Sequence, residues 1–509
     1  MYDRTNALLE SLLGKLYERE LPIRLGLLTA LAGESLFLLG KPGTGKSLIA
    51  RRLHQAFAEA KTFSYLMGRF STPDEVFGPI SIQRLRDEDR YERRTENYLP
   101  DADVVFLDEI WKASPPIQNA LLTALNERIY RNGTAEIELP LKVFVGASNE
   151  LPEDQEETAA FWDRFLVRLV VEPIETVENL HRLLTDEGDP YHHLVANDIK
   201  VSSEEYAAIQ EKQRHVQLSP NVLDLLTAIR AELAAGTEES EPIYVSDRRW
   251  KKIAKLLRVS ALLHGRTSAE PLDCSIIRHC AWTTLAERER VNEVVDSQLA
   301  SRAGSRELSE LTAARLEELR TAYEQMRVEE REIEAARPTY HRDEYYRLLP
   351  EGVEATDEEL ILVWHGDIDE LSLGRSETID IFFYDAQGQL TGSEQVDAKR
   401  SGEWTLRCEE QVYTIETAIE RTTRREERKP KPAELASIAS EVSALLAEVD
   451  GHVEELLEAQ RQLEDAGHQH LFVSAADTSV VLNAVTETLD RLSELRVLVQ
   501  DLLAQVSAR

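Results

Sequence analysis

The sequence predicts an α/β protein in which a parallel-sheet core is followed by an all-helical region and by a C-terminal three-helix bundle that a small antiparallel β domain interrupts. Three observations predict it. Short β-branched or aromatic runs alternate with helical patterns up to about residue 172, the pattern of a parallel α/β sheet. Between residues 173 and 300 the strands vanish and apolar residues recur at three and four positions, as amphipathic helices require. Further on, Ile379, Ile381 and Phe383 stand at alternate positions, as do Trp404, Leu406 and Cys408, which is strand periodicity.

Taken in order, the first region offers strands at 35–39, 63–67, 104–107, 142–147 and 166–171, and the second offers helices at 220–233 and 248–263. Residues 306–337 turn to Glu, Arg, Ala and Leu, with Leu316, Leu319, Tyr323 and Met326 on one stripe, and read as one helix ended by Pro338. Residues 351–400 hold thirteen acidic and three basic side chains. Their alternation, with turns at Gly388 and Ser401-Gly402, still predicts a small β-barrel or sandwich, whose core takes Trp364 and Trp404, with partner contact as the alternative for both. A basic, proline-marked hinge at 424–432 leads into two long helices carrying Ile438, Val442, Leu445, Val449, Val453, Leu456 and Leu463, then Leu482, Val485, Leu489, Leu492, Val499 and Leu502. One apolar stripe needs a partner, so the helix before the β domain is expected to join these two. The expected domains are therefore 1–172, 173–300, 301–337, 338–431 and 432–509.

Composition narrows the function. The 509 residues carry 93 acidic against 59 basic side chains, a formal charge of −34, which excludes a protein that coats nucleic acid. The first residues lack the basic-then-apolar pattern of a secretory signal. The longest apolar stretch, 25–40, is broken by Gly26, Thr29, Gly33, Glu34 and Ser35 and falls short of the roughly 20 residues of a membrane span. Three cysteines, Cys274, Cys280 and Cys408, with no Cys-x-x-Cys, encode neither a disulfide framework nor a zinc site. Buried thiols in a reducing cytoplasm are the expectation.

The strongest motif is Gly40-Lys41-Pro42-Gly43-Thr44-Gly45-Lys46-Ser47, between an apolar strand and a helical run. It fits the phosphate loop. Glycines let backbone N–H groups point at phosphates, Lys46 adds a charge there, and Ser47 offers a hydroxyl to Mg²⁺. The strand 103–107 ends in Asp108 and Glu109, a pair suited to holding the metal and to orienting an attacking water. The strand 143–148 ends in Asn149, able to hold that water or the γ-phosphate from the opposite side, and otherwise a common turn residue. Asp163-Arg164-Phe165 and Asp247-Arg248-Arg249 each offer an arginine for phosphate, or an ordinary surface arginine.

In that order, these motifs resemble the AAA+ ATPases, and Leu107-Asp108-Glu109-Ile110-Trp111-Lys112-Ala113-Ser114-Pro115-Pro116 with Gln118-Asn119-Ala120-Leu121-Leu122 is similar to the MoxR group among them. The resemblance implies an AAA+ P-loop core with an all-α lid, binding ATP and Mg²⁺. It makes Lys46 and Ser47 nucleotide and metal contacts, Asp108 the metal ligand and Glu109 the catalytic base. Asn149 becomes the first sensor and Arg248 the second, with Arg249 as the alternative. Arg164 becomes the finger that reaches a neighbouring subunit's site, with Arg168 as the alternative. It further implies a hexameric ring with chaperone-like remodelling of protein complexes and a von Willebrand factor A-domain partner. The interrupted helical bundle is similar to MoxR ATPases that bind the inducible lysine decarboxylase, which assigns that partner to 338–431.

Residues 78–99, with Ile80, Ile82, Leu85, Tyr91 and Tyr98 around Asp87-Glu88-Asp89, read as one inserted hairpin, and Asn132-Gly133 as the turn of a second. Both are either pore elements that move with the nucleotide or plain surface hairpins. A different class stays open beside the motor: a nucleotide-gated scaffold that regulates a metabolic enzyme without remodelling it.

Overall fold

The computed structural model describes residues 1–509 apart from 153–154, 188–194, 238–239, 304–305, 339, 341–343, 353–358 and 508–509. The chain divides into two compact units, Met1–Ala313 with Leu446–Leu498, and Ala314–Leu445 with Val499–Arg509.

The first unit opens with α1 (Tyr2–Leu13), α2 (Glu20–Leu31), β1 (Ser35–Leu39), α3 (Lys46–Gln55), β2 (Thr62–Leu66), α4 (Pro73–Phe77), α5 (Ile82–Glu88), β3 (Val104–Asp108) and α6 (Pro115–Glu127). A hairpin of β4 (Ile129–Asn132) and β5 (Ala135–Glu138) follows, then β6 (Val143–Ser148), α7 (Gln155–Trp162) and β7 (Val167–Val170). Among the described residues β1, β2, β3, β6 and β7 form one parallel sheet in the order β2-β3-β6-β1-β7. Strands β1 and β6 are buried along their whole length, so their apolar runs are continuous rather than alternating. Because β3, β6 and β1 are neighbours, the residues that follow their C-terminal ends come together at one edge.

Two local expectations are corrected here. Residues 78–99 are not one hairpin. Ser81 caps a short helix, α5, by accepting from Arg84 N, and pairing shrinks to a bridge between Ile80 and Arg93. In the β4–β5 hairpin Asn132 pairs with Ala135, so the turn is Gly133-Thr134. The Asn132 side chain instead binds both the N–H and the C=O of Arg93, at 2.6 and 3.0 Å, which holds it in the strand.

The helical part contains α8 (Val177–Thr185), α9 (Ser203–Lys212), β8 (Gln217–Leu218), α10 (Pro220–Ala235), α11 (Asp247–Leu263), β9 (Ser268–Ala269) and α12 (Leu285–Ala303). Strands had been expected to vanish in this region, yet β8 and β9 form a two-residue parallel pair, a small exception. The buried side includes Leu225, Ile229, Ile253, Leu256, Leu257 and Trp282.

The second unit takes most of α13 (Arg306–Met326), then β10 (Val328–Arg337), β11 (Tyr345–Pro350), β12 (Glu359–Trp364), α14 (His365–Glu370), β13 (Ser376–Asp385), β14 (Leu390–Gly402), β15 (Thr405–Cys408), β16 (Gln411–Glu416) and β17 (Ala418–Glu427), with the ends of α15 (Pro432–Gln469) and α16 (Ala475–Ser507). Strands β11 to β16 close into an antiparallel barrel around Tyr346, Leu348, Val363, Ile379, Ile381, Leu406 and Ile415. Trp404 packs against this core. Trp364 does not: it is 43% exposed, because it follows buried Val363 and so points to the other face of β12.

Helix α13 ends at Met326 instead of reaching Pro338. Residues 328–337 pair antiparallel with 418–427 over ten positions, from Val328 opposite Glu427 to Arg337 opposite Ala418. The expected helix end and the expected hinge are thus the two strands of one ribbon. Opposite charges across it, such as Glu330 with Arg425 at 3.0 Å, support an exposed strand pair as well as they support a helix. Below the ribbon, Leu316, Leu319, Ile438, Val442, Leu445, Leu502 and Val506 are buried. Arg315 pairs with Glu441 at 3.1 Å, and the Tyr323 hydroxyl donates to Gln505 O at 3.3 Å.

Within the first unit, α15 and α16 are linked by Gln460 donating to Thr486 Oγ1 at 3.0 Å. Their connecting tip, with Leu471, Phe472 and Val473 buried, enters that unit's core. The three cysteines are free and buried. Among the described residues no helix is long and apolar enough to cross a membrane.

Candidate functional site

The loop after β1 is held tightly. Gly40 N donates to Ser148 O at 3.1 Å, and a Cβ on Gly40 would meet Val171 O at 2.4 Å, so only glycine fits between the neighbouring strand ends. Gly45, with φ of 88°, is the N-cap of α3 and supplies no side chain to cap it. The first N–H groups of α3 therefore face the loop, where the helix dipole favours an anion. Lys41, Pro42, Gly43 and Ser47 are exposed, while Thr44 and Lys46 are buried. Thr44 Oγ1 donates to Lys41 O at 2.9 Å and shapes the loop from inside.

Lys46 Nζ donates to Gly40 O at 2.5 Å, to Lys41 O at 3.2 Å and to Asn149 Oδ1 at 2.7 Å. Burial pushes its ammonium below the ordinary lysine range, against the opposing pull of Asp108 and Glu109. Asn149, which follows β6, also donates its amide to the Glu109 carboxylate. Lys112 Nζ lies 3.3 Å from the other Glu109 oxygen. Glu109 sits in the left-handed region at φ 51°, an uncommon place for a residue with a side chain and one that recurs at functional sites. Its N–H donates to Asp108 Oδ1 at 3.0 Å. Lys46, Asp108, Glu109 and Asn149 thus stand together at the C-terminal edge of the sheet. The uncapped helix start, the buried lysine, the exposed Ser47 hydroxyl and the Asp108 carboxylate are groups that would fit a nucleotide with Mg²⁺, for which Ser47 and Asp108 would be the ligands.

The arginines lie elsewhere. The Ser35 hydroxyl donates to Arg164 O, so Arg164 stands at the start of β1, whereas the loop follows its end. Five strand residues separate the two, about 16 Å of extended chain. Arg248 binds Asp163 and, at 3.1 Å, Asn126 Oδ1. Arg249 binds Asp163 Oδ1 at 3.1 Å and the carbonyls of Asp163, Phe165 and Cys280 at 2.9, 3.1 and 2.7 Å. Burial raises the Asp163 carboxyl, but Arg249 and Arg248 outweigh it and hold the group below the ordinary range. Arg249 is 4% exposed and occupied by the Asp163 carboxylate and backbone carbonyls, which leaves Arg248 as the member of the pair that reaches solvent. Arg168 is buried beneath Trp162, with its guanidinium 4.2 Å from the ring centroid, and donates to Phe165 O, Trp162 O and Trp282 O. It is a core residue, out of reach of any other subunit. Arg164 keeps 15% of its side chain exposed and pairs with Asp163 at 3.4 Å.

Sequence reasoning missed Arg19. It is buried, and its Nε donates to Thr44 O at 3.0 Å, bracing the phosphate loop from a residue 25 positions away. No local pattern marks it. Also unforeseen is the cluster His264, Asp273 and His470, whose donor atoms lie close enough to share a cation. Asp273 already accepts from Ser260 Oγ, both terminal nitrogens of Arg266, Glu270 N and His470 Nε2, at 2.6 to 3.1 Å. His264 Nε2 accepts from Leu471 N, and His470 Nδ1 from Phe472 N and Val473 N. Every ligand atom is taken by protein, and the cluster is a lock for the α15–α16 tip.

Residues 3–211 match a family model described as the MoxR domain in the MoxR-vWA-beta-propeller ternary systems, and residues 221–295 match an AAA lid domain. Two uncharacterized proteins of Methanocaldococcus jannaschii are similar to this chain. One is 41% identical over 280 residues, covering 55% of this chain and 70% of the relative. The other is 42% identical over 277 residues, covering 54% and 70%. A crystal structure of a protein from Cytophaga hutchinsonii covers 58% of this chain and 94% of its own, with a TM-score of 0.45 and 17% identity.

Proposed function

Since the chain belongs to the MoxR family of AAA+ ATPases, we propose that it hydrolyses Mg-ATP at sites shared between subunits of a ring, a hexamer by family resemblance, and uses the cycle to remodel or regulate a protein complex. The observation that carries this reading is the division of the site. Lys46, Asp108, Glu109 and Asn149 occupy one edge of the sheet, and Arg164 with Arg248 occupies the opposite end of β1.

In this reading ATP phosphates replace the loop carbonyls and Asn149 as partners of Lys46. The freed Asn149 then releases Glu109 to orient water; Ser47 and Asp108 would hold Mg²⁺, which would supply positive charge to the phosphates. By family resemblance Arg164 of one copy is the finger that stabilises charge at the next copy's nucleotide, and Arg248 is the second sensor. A von Willebrand factor A-domain protein is the partner that the matched family description supports. The barrel within 338–431 is the surface proposed for the inducible lysine decarboxylase, by layout and by its acidic charge. The test is a mixture of two inactive variants, Lys46→Ala and Arg164→Ala. Shared sites regain activity on mixing, because an intact loop meets an intact finger; sites complete within one chain stay inactive.

A further inference from the structure

Helix α8 is held in an unusual way. It has no buried residue, and Val177, Leu180, Leu183 and Leu184 are exposed by 42% to 73%, so core packing does not fix its position. Polar contacts at its two ends do. At its start, Glu18 accepts from Glu175 N at 2.8 Å, Thr176 N at 3.0 Å, Thr176 Oγ1 at 2.6 Å and Asn179 Nδ2 at 3.0 Å. At its end, Asp186 accepts from Lys15 Nζ at 2.9 Å and from the Tyr17 hydroxyl at 3.3 Å. Those four donors to Glu18, with the Thr176 hydroxyl foremost, lower its carboxyl to about 2, in keeping with a carboxylate that stays ionised to hold them.

The next residue along the chain is Arg19, whose Nε holds Thr44 O in the phosphate loop and whose Nη1 holds Glu18 O at 2.6 Å. Glu18 adopts φ of 55°, a strained turn that sends the two adjacent side chains to different elements. The loop that meets phosphate and the helix that lacks a core are therefore joined through two consecutive residues.

We propose that Glu18 and Arg19 are positioning residues that couple the state of the phosphate loop to α8, so that nucleotide binding at Gly40–Ser47 sets how firmly α8 is held. The proposal rests on the nucleotide-binding reading above. When the loop tightens on phosphate, Thr44 O shifts, Arg19 follows it, and the Glu18 carboxylate moves relative to the four donors at the start of α8.

Hydrogen exchange of amides 177–186 in the full chain, with and without Mg-ADP, tests it. The wild type is expected to change exchange there roughly tenfold on adding Mg-ADP, the scale of one charge-assisted hydrogen bond. Glu18→Ala is expected to erase that response while Mg-ADP affinity changes by less than about threefold, and Glu18→Gln, which keeps one acceptor oxygen, to restore part of it. Thr176→Ala removes one donor, the hydroxyl, from the other side and should weaken the response without touching the loop. A wild type that binds Mg-ADP with no change in α8, or a Glu18→Ala chain that responds like wild type, overturns the coupling. A wild type that binds no Mg-ADP overturns the nucleotide reading and this proposal with it. A purely structural role would lower the melting temperature of Glu18→Ala and leave the Mg-ADP response intact, which also overturns it.

Discussion

Asn149 accepts a 2.7 Å hydrogen bond from Lys46, and the same side chain donates to Glu109. The lysine proposed to meet phosphate and the carboxylate proposed to orient water are thereby joined through one amide. Asn149→Ala is expected to lower the single-turnover rate roughly a hundredfold, the low end of general-base contributions, with nucleotide affinity little changed. Single-turnover phosphate release beside equilibrium nucleotide binding checks it. An equal loss in both would reduce Asn149 to a loop-shaping residue.

Glu109→Gln and Lys46→Ala separate a motor from a nucleotide-gated scaffold. Glu109→Gln should bind ATP and cut hydrolysis by about 10²- to 10⁴-fold, while Lys46→Ala should lose ATP binding. If partner complexes respond normally to Glu109→Gln loaded with ATP, hydrolysis is dispensable and the scaffold reading gains.

The two arginines of the 164–168 stretch should part company. Arg164→Ala is expected to lower turnover by ~10³ to 10⁵ with an unchanged melting temperature. Arg168→Met should leave Trp162 O, Trp282 O and Phe165 O without their buried donor and unfold at markedly lower temperature, by about 3 kcal/mol or more of stability. Thermal denaturation and ATPase rates on the same samples distinguish them.

Stability should fall on mild acidification. Burial, and then the neighbouring His470, lower His264 to about 4 from 6.5, and its Nε2 accepts Leu471 N–H, so the folded state resists the proton that the unfolded chain takes up. Stability therefore rises with pH between about 4 and 6.5, and this group contributes a loss of about 2 kcal/mol between pH 7 and pH 5. Denaturant midpoints at the two pH values, for wild type and His264→Gln, measure the share; equal slopes would exclude His264 as its source.

Removing the barrel should leave the ATP site untouched. A chain in which residues 338–417 are replaced by a two-residue turn is expected to keep wild-type ATPase activity and to lose binding to lysine decarboxylase. Wild-type binding should weaken as salt rises, because docking of the kind proposed for the acidic barrel would act through screened charges. A pull-down across a salt series decides it, and binding retained without the barrel would move the contact elsewhere.

Legibility followed sequence distance. The phosphate loop, the Asp108–Glu109 pair and the strands around them are contiguous patterns whose chemistry is local, and each was readable directly. Arg19 was not, because its contact to Thr44 O exists only once α2 packs beside the loop. The choice between Arg248 and Arg249 rested on burial alone, which adjacent identical residues cannot encode. Residues 328–337 misled because Glu and Arg suit an exposed helix and an exposed ribbon equally, and only pairing with 418–427 decides between them. Trp364 misled for the opposite reason: a large aromatic ring suggests a core, but alternation after Val363 turns it outward.

The ribbon gives the barrel a single doorway. The chain enters at Arg337 and leaves at Ala418, side by side in the ladder, so the helices below sense only that two strands continue, not what they enclose. Domains mounted like this are interchangeable cassettes. A designer can exchange the barrel for an unrelated domain by grafting that domain onto the same two paired strand ends.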